Sequence, residues 1–156
     1  MKVLVACEES QAVTKELRNL GHEAYSCDIE PCSGGHPEWH IQADVIPLLN
    51  GDCSFRTVGG MEHRIDGKWD MIIAFPPCTY MTNAGAVRMR VKGKIVQDRY
   101  QKAMKAKAFF MQIMNAICEK IAIENPTPMK LIALPPYTQA VQPYQFGHPY
   151  SKRTCL

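Results

Sequence analysis

Short runs of consecutive apolar residues, separated by turn-forming residues, recur along the sequence. A run that is apolar at successive positions, instead of alternating ones, is typical of a strand covered on both faces in a parallel sheet. The clearest run, M-I-I-A, is stopped by two prolines, which remove backbone donors and end a ladder. The predicted sheet strands are residues 2–7, 23–27, 40–43, 71–74 and 120–123.

Two segments have the periodicity of amphipathic helices. The first has Val13, Leu17 and Leu20 on one face, with Ser10 as the predicted N-cap and Gly21 ending the helix. The second is predicted over residues 98–119, and its apolar stripe consists of Ala103, Ala106, Phe110, Ile113 and Ile117. Alternation of strands and helices predicts an α/β, Rossmann-like fold, with a mostly parallel sheet and helices on both faces.

The remaining segments read mainly as loops. Residues 31–37 and 51–67 contain Gly, Pro, Asp and Ser without a clear period and are predicted to be surface loops. Near the C-terminus, we predict a strand over residues 138–142, a loop over 144–150 and the start of another strand at 153–156. A strand that stops at the last residue suggests that the natural protein continues beyond it.

Composition fits one ordinary globular domain over residues 1–156. The chain is 46% hydrophobic and 21% charged, with a formal net charge of +3. Its seven cysteines are an odd number and no leader precedes them, so reduced thiols in the cytoplasm are expected. No apolar run reaches the roughly 20 residues needed to cross a bilayer.

The first strand, helix and second strand have the order of a nucleotide-binding unit. Glu8 lies in the turn after the first strand, and Asp28 ends the second, where a carboxylate can accept bonds from ribose hydroxyls. The turn reads A-C-E-E-S and lacks a glycine-rich loop, so its acids would repel a pyrophosphate. S-adenosylmethionine, which is cationic and has no phosphate, fits better. Asp44 is either an adenine contact or a solvated acid opening the next turn.

Two chemical groups are predicted at the same edge of the sheet. Cys78 follows the strand over residues 71–74 on a turn stiffened by Pro76 and Pro77, and Glu124 follows the strand over 120–123. Carboxyl ends of parallel strands share an edge, so the thiol and the acid should converge. A thiolate can attack C6 of cytosine while a protonated acid binds N3. The alternatives are a small buried cysteine and a surface or capping acid.

A cationic run follows this turn. Arg88, Arg90, Lys92 and Lys94 alternate with apolar or small residues, so an extended segment would present all four on one face. Such a face can bind a phosphate backbone, and the alternative is an ordinary solvated surface. We favour DNA binding because the run directly follows Cys78.

Cys27, Cys32, His36 and His40 have a spacing that nominally supplies four zinc ligands. The glycines and the proline between them do not favour the helix that usually holds paired histidines. We therefore predict a plain loop and no metal site.

The order of acidic turn, Asp28, Asp44, F-P-P-C and E-N-P resembles the catalytic half of the DNA cytosine-5 methyltransferases, and most closely the short phage-type members. The resemblance implies a class I methyltransferase fold, S-adenosylmethionine near Glu8, Asp28 and Asp44, Cys78 as nucleophile and Glu124 as the base-binding acid. In that family an arginine pair leads a later strand and helps to hold the base, and Lys152-Arg153 before T-C-L matches it loosely, which implies a base-holding role for Arg153. The chain departs from the family in having no target-recognition domain after it. The cofactor site implied by this resemblance also includes Cys7, Ile29 and Pro76.

Two other functions remain open from the sequence. In an exocyclic amino-group methyltransferase, F-P-P-C would replace the Pro-Pro-Tyr type of turn that cradles the amine. In a catalytically silent module, the sheet would only bind DNA or a partner protein.

Overall fold

Twelve strands and two α-helices form in the computed structural model, which describes all of residues 1–156. In chain order, the elements are β1 (Lys2–Ala6), α1 (Ala12–Asn19), β2 (Glu23–Asp28), β3 (His40–Gln42), β4 (Cys53–Arg56), β5 (Glu62–Ile65), β6 (Met71–Ala74), β7 (Arg90–Val91), β8 (Lys94–Ile95), α2 (Gln97–Met114), β9 (Ile121–Ile123), β10 (Asn125–Pro126), β11 (Ala140–Val141) and β12 (Thr154–Cys155). Short 3₁₀ helices span Pro37–Trp39, Ile46–Leu48, Asn83–Met89, Lys130–Ile132 and Pro143–Phe146.

The chain divides into two compact units. The first, called the sheet unit here, comprises Met1–Phe75 and Gln112–Ala122. The second unit comprises Pro76–Met111 and Ile123–Leu156. The single catalytic domain predicted over residues 1–156 stays a prediction.

A five-stranded sheet with the order β3-β2-β1-β6-β9 organises the sheet unit. Strand β1 pairs in parallel with both β2 and β6, and β2 pairs in parallel with β3. Val3 and Val5 are fully buried against a layer that includes Val13 and Leu17 of α1, which explains why β1 is apolar at consecutive positions. The predicted α/β class with a parallel sheet is confirmed.

Helix α1 begins differently from the prediction. Ser10 is not the N-cap; Gln11 occupies that position in a left-handed conformation, with φ of 56°, and makes no side-chain cap bond. Two of the first N–H groups are satisfied by Glu8, whose carboxylate accepts bonds from Val13 N–H at 2.6 Å and Thr14 N–H at 3.2 Å. The helix therefore starts after a tight turn, and the side chain of Glu8, which precedes the turn, caps its first N–H groups.

The loop predicted over residues 51–67 is wrong, because β4 and β5 form an antiparallel hairpin there. Phe55 and Ile65 are buried, and Phe55 packs on Tyr25 and Trp69 with ring centroids 5.0 and 6.2 Å apart. The turn uses Gly60 at φ of 86°, with its N–H donating to Thr57 O at 2.8 Å. Burial of this aromatic face stabilises a hairpin that has only one apolar side.

Helix α2 ends at Met114, five residues before the predicted end at residue 119. Ala116 N–H turns back to Ile113 O at 3.1 Å, and Ile117 N–H donates to the side chain of Asn50 at 2.9 Å. Ile117 consequently lies outside the helix and is exposed, whereas Ala103 and Ile113 of the predicted stripe are fully buried.

The C-terminal strands form a separate three-stranded sheet in the second unit. Its order is β10-β12-β11, and both pairings are antiparallel. The strands predicted at 138–142 and 153–156 are confirmed in shorter form. No helix of the chain is long and apolar enough to span a bilayer.

Candidate active site

Cys78 lies in a turn with few backbone donors. Phe75 N–H makes the last bond of the ladder, to Ala6 O at 3.0 Å, and Pro76 and Pro77 have no N–H to continue it. Met81 N–H then donates to Cys78 O at 2.9 Å and closes a turn. The Cys78 thiol is left half-buried at the start of the second unit.

Backbone hydrogen bonds tie this turn to the segment after Glu124. Asn83 N–H donates to Thr127 O at 3.0 Å, and Met129 N–H donates to Met81 O at 2.8 Å. Met81 and Met129 are both buried in one apolar cluster of the second unit. The two segments that follow β6 and β9 are therefore fixed against each other by packing as well as by hydrogen bonds.

Cys78 and Glu124 share one electrostatic environment. Burial raises the pKa of the Cys78 thiol, and the negative charge of Glu124 raises it further. Burial also raises the pKa of Glu124. Lys152, two residues before β12, lowers both pKa values but does not reverse either shift. The charge of Glu124 thus acts on the Cys78 thiol within the second unit, and the close approach of thiol and acid stays a prediction.

These pKa shifts define the chemistry available in the resting site. The Cys78 thiol retains its proton at neutral pH, so a nucleophilic role requires that proton to be removed when substrate binds. Glu124 retains its proton to a higher pH than an ordinary carboxyl, which suits a hydrogen-bond donor to a ring nitrogen. Lys152 is the cation that can stabilise negative charge on either group.

The charge of Lys152 acts on Cys78 and Glu124, an effect that the sequence did not indicate. The pairing of β10 with β12, which joins Asn125 to Cys155 and Pro126 to Thr154, brings the C-terminal segment that contains Lys152 beside the segment that follows Glu124. The only local signal was the cation pair in K-R-T-C-L.

Arg153 is exposed and positioned by an aromatic neighbour. Its guanidinium donates to the hydroxyl of Tyr137 at 2.5 Å and lies 5.5 Å from the centre of that ring. A hydrogen bond combined with a cation–π contact holds the side chain in one orientation. This arrangement is compatible with the predicted role of Arg153, which stays a prediction.

Asn125, next to Glu124, contributes an unsatisfied acceptor. The residue is 3% exposed, and its Oδ1 has no hydrogen-bond partner. A buried acceptor without a donor costs free energy, on the order of 1–3 kcal/mol, unless a ligand supplies one. The E-N-P segment therefore offers an acid and a free acceptor at adjacent positions.

The predicted cationic face is wrong in its geometry. Arg88 lies in a 3₁₀ helix, and Lys92 lies at φ of 49° in the tight turn between β7 and β8. Arg90 is paired with Ile95, and Lys94 with Val91, so those two cations point to opposite faces of the ribbon. The Lys92-Gly93 turn breaks the alternation, although all four cations remain exposed.

The residues predicted to bind the cofactor lie mostly at the carboxyl edge of the parallel sheet. Cys7 follows β1 at φ of 59°, Asp28 ends β2, and Asp44 comes two residues after β3. Burial, with help from the charges of Asp28 and Asp44, raises the pKa of Cys7 to about 12. The charges of both carboxylates thus act on a half-buried thiol that keeps its proton at neutral pH.

The Glu8 carboxylate is occupied by hydrogen bonds to helix α1. The residue is 5% exposed, and besides the two N–H groups of α1 its carboxylate accepts the Thr14 hydroxyl at 2.6 Å. With three donors already bound, little of this carboxylate is available to a ligand.

Asp28 and Asp44 fit a cationic adenosyl cofactor better than Glu8 does. One oxygen of each accepts a nearby backbone N–H, from Glu30 and Ile46 respectively, both at 3.0 Å. The other oxygen of each carboxylate is left for ribose or amino donors. Ile29 is 71% exposed beside Asp28 and offers an apolar surface. Pro76 is buried in the second unit.

The cysteines and histidines with the nominal zinc-ligand spacing make hydrogen bonds within the fold. His40 is fully buried, its Nδ1 within 2.9 Å of Ser26 Oγ and its Nε2 within 3.1 Å of Glu30 O. Cys27 Sγ donates to Ala43 O at 3.4 Å and Cys32 Sγ to Gln11 Oε1 at 3.1 Å. No group of three or more potential metal-ligating side chains occurs in the structure.

The burial of Glu124 predicts a pH-dependent cost in stability. Its folded-state pKa is raised above 4.5, so the folded protein binds the proton more tightly than the unfolded chain. Stability should therefore fall as pH rises from 4.5 through the raised pKa. Glu124→Gln should stabilise the protein at pH 7 by up to about 1 kcal/mol, because the group is only half-buried. The gain should vanish below pH 4.5.

Urea unfolding at pH 4 and pH 7 measures this difference. Glu119→Gln, at an exposed acid just before β9, is the matched control and should change stability little at either pH. Equal stability of wild type and Glu124→Gln at pH 7 would contradict the assigned cost of burial.

No family model matches the chain, and no curated protein or solved structure matches it.

Proposed function

We propose that the protein is an S-adenosylmethionine-dependent DNA methyltransferase that acts on C5 of cytosine, on a class I-type fold. The observation behind the proposal is that the charge of Glu124 acts on the Cys78 thiol, 46 positions away in the chain, and that the charge of Lys152 acts on both. A thiol on a rigid turn beside a carboxyl that favours its protonated form is the pair that this reaction needs.

The roles of the side chains follow from the chemistry of cytosine. The Cys78 thiol loses its proton to solvent, and its sulfur bonds to C6 while the ring electrons move toward C5. Glu124 donates a hydrogen bond to N3, which becomes more basic as charge develops. After methylation, loss of the C5 proton and of the sulfur restores the aromatic ring and frees the thiol.

S-adenosylmethionine, when bound, supplies an electrophilic methyl group on a sulfonium. Asp28 and Asp44 are the residues suited to its ribose, amino and cationic groups, because each keeps one carboxylate oxygen free. Ile29 offers an apolar contact for the adenine. Glu8 is not part of this proposal, since its oxygens cap α1.

Charge supports DNA as the substrate. The second unit has eleven Lys and Arg residues against only Asp98 and Glu124, a net charge of +9. The sheet unit has seven Lys and Arg against thirteen Asp and Glu, a net charge of −6. The modest total of +3 therefore hides a strongly cationic unit, and that unit contains Cys78 and Glu124. Such a unit attracts a polyanion, with a marked dependence on salt.

Methylation of an exocyclic amino group is the second candidate. The raised pKa of Cys78 favours it, because that reaction needs no thiolate and the resting thiol is protonated. Asn125 Oδ1, buried without a partner, is an acceptor that an amino group could satisfy.

Product analysis separates the two candidates. DNA incubated with the protein and isotopically labelled S-adenosylmethionine should, after digestion to nucleosides, give labelled 5-methyl-2′-deoxycytidine. Label in an N-methylated nucleoside would support the second candidate, and absence of label in any nucleoside at millimolar cofactor would refute both.

A further inference from the structure

Three large aromatic side chains are exposed on one loop of the second unit. Residues 142–153, called the aromatic loop here, connect β11 to β12, which pair in antiparallel fashion through Ala140–Cys155 and Val141–Thr154. Tyr144, Phe146 and Tyr150 in this loop are 59%, 69% and 55% exposed. Rings of this size are normally among the most buried side chains in a protein.

The loop has a defined conformation. Pro143–Phe146 form a 3₁₀ helix in which Gln142 N–H donates to Gln145 Oε1 at 2.7 Å. Gly147 reverses the chain at φ of 86°, a conformation that other residues rarely adopt, and His148 N–H returns to Pro143 O at 3.2 Å. A preorganised loop that presents three rings to solvent would lose little conformational entropy when a partner binds.

The charge of the residues around the aromatic loop indicates which kind of partner would bind it. No Asp or Glu occurs from Asn125 to Leu156, whereas Lys152 and Arg153 stand at the end of the loop. Aromatic rings interleaved with cations, and free of acids, match the bases and phosphates of a nucleic acid strand. Bases within a duplex are already stacked on each other, so only unpaired bases can stack on these rings.

We propose that the aromatic loop binds single-stranded DNA by stacking bases on Tyr144, Phe146 and Tyr150, and so makes unpaired DNA the preferred substrate. The inference rests on the proposed function for its link to catalysis. That link is Lys152, which lies at the end of the loop and whose charge acts on both Cys78 and Glu124. A DNA single strand that binds the aromatic loop therefore extends toward the candidate active site. Its bases are already unpaired, so no duplex has to be opened.

Fluorescence anisotropy with a labelled single strand of about 12 nucleotides, and with the duplex of the same sequence, tests the proposal. Tyr144→Ala and Phe146→Ala should each weaken single-strand binding about tenfold, while duplex binding changes less than about twofold. Tyr144→Phe keeps the ring and should bind as wild type does. Because stacking releases no counterions, the slope of affinity against salt should not change in the Ala variants.

Variants that remove positive charge should affect binding differently from the variants that remove a ring. Arg90→Gln combined with Lys94→Gln should reduce the salt slope on the single strand, by roughly 0.7 for each phosphate that is no longer neutralised. The proposal is overturned if the Ala variants bind the single strand as wild type does, or if they lose single-strand and duplex affinity equally. Binding requires no methyl transfer, so a protein that needs the rings for binding but forms no methylated base would refute the proposed function alone.

Discussion

Replacing Cys78 with alanine should abolish methyl transfer to cytosine, lowering the rate by roughly three orders of magnitude or more, as removal of a covalent nucleophile does. Without the sulfur there is no bond to C6, and C5 stays too weak a nucleophile to take the methyl group. Affinity for S-adenosylmethionine should stay within about twofold, since Asp28 and Asp44 of the sheet unit are intact. Isothermal titration with the cofactor and labelled-methyl assays on DNA measure the two quantities separately.

Cys53→Ala is the matched control for this variant. Cys53 is also partly buried, and burial likewise raises its pKa, but a backbone-paired hairpin strand holds it and no role in catalysis is assigned to it. Its removal should leave methyl transfer unchanged. Activity retained in Cys78→Ala with DNA would eliminate Cys78 as the nucleophile and leave the amino-group reaction as the candidate.

The pH dependence of the methyl-transfer rate is a separate test of the roles assigned to Cys78 and Glu124. Because the Cys78 pKa is raised, the thiolate fraction should increase with pH across the neutral range. Glu124 must keep its proton, and its protonated fraction falls with pH once its raised pKa is exceeded, so the two changes oppose each other and the wild-type rate should level off between the two pKa values. In Glu124→Gln the amide still donates a hydrogen bond at every pH, and the rate should keep rising toward the Cys78 pKa.

The parallel sheet could be predicted because its signal is local. Consecutive apolar residues in K-V-L-V-A and M-I-I-A are explained by burial on both faces, and β1 and β6 lie at the centre of the observed order. The hairpin of β4 and β5 was missed because its apolar face consists mainly of Phe55 and Ile65, too few for a clear alternation. It is stabilised by rings distant in sequence, Tyr25 and Trp69, which no local window contains.

The two strand ends that precede Cys78 and Glu124 could be predicted for the same reason. Pro76-Pro77 and Glu124-Asn125-Pro126 mark strand ends in the sequence, and parallel strands bring such ends to one edge. Lys152 reaches the same site through an antiparallel pairing between β10 and β12, which the sequence did not reveal. The prediction of a single cationic face was wrong for a local reason. A tight turn at Lys92-Gly93 ends the alternation that an extended strand would need.

Glu8→Ala should destabilise the protein by about 2–3 kcal/mol, which makes it the largest expected effect of a polar substitution on stability. The change removes an acceptor shared by the N–H groups of Val13 and Thr14 and by the Thr14 hydroxyl, and Thr14 is fully buried. Buried donors without an acceptor, added to the loss of a helix cap, account for this size. Urea unfolding followed by circular dichroism gives the free energy of unfolding.

Ser10→Ala is the decisive comparison, because Ser10 is the N-cap that the sequence predicts and the structure does not use. It should change stability by less than about 0.5 kcal/mol, as an ordinary surface substitution does. Glu8→Gln should lie between the two variants, since an amide presents one oxygen acceptor but turns a donor toward the N–H groups. If Glu8→Ala instead keeps full stability and loses affinity for S-adenosylmethionine, the carboxylate binds the cofactor and does not cap α1.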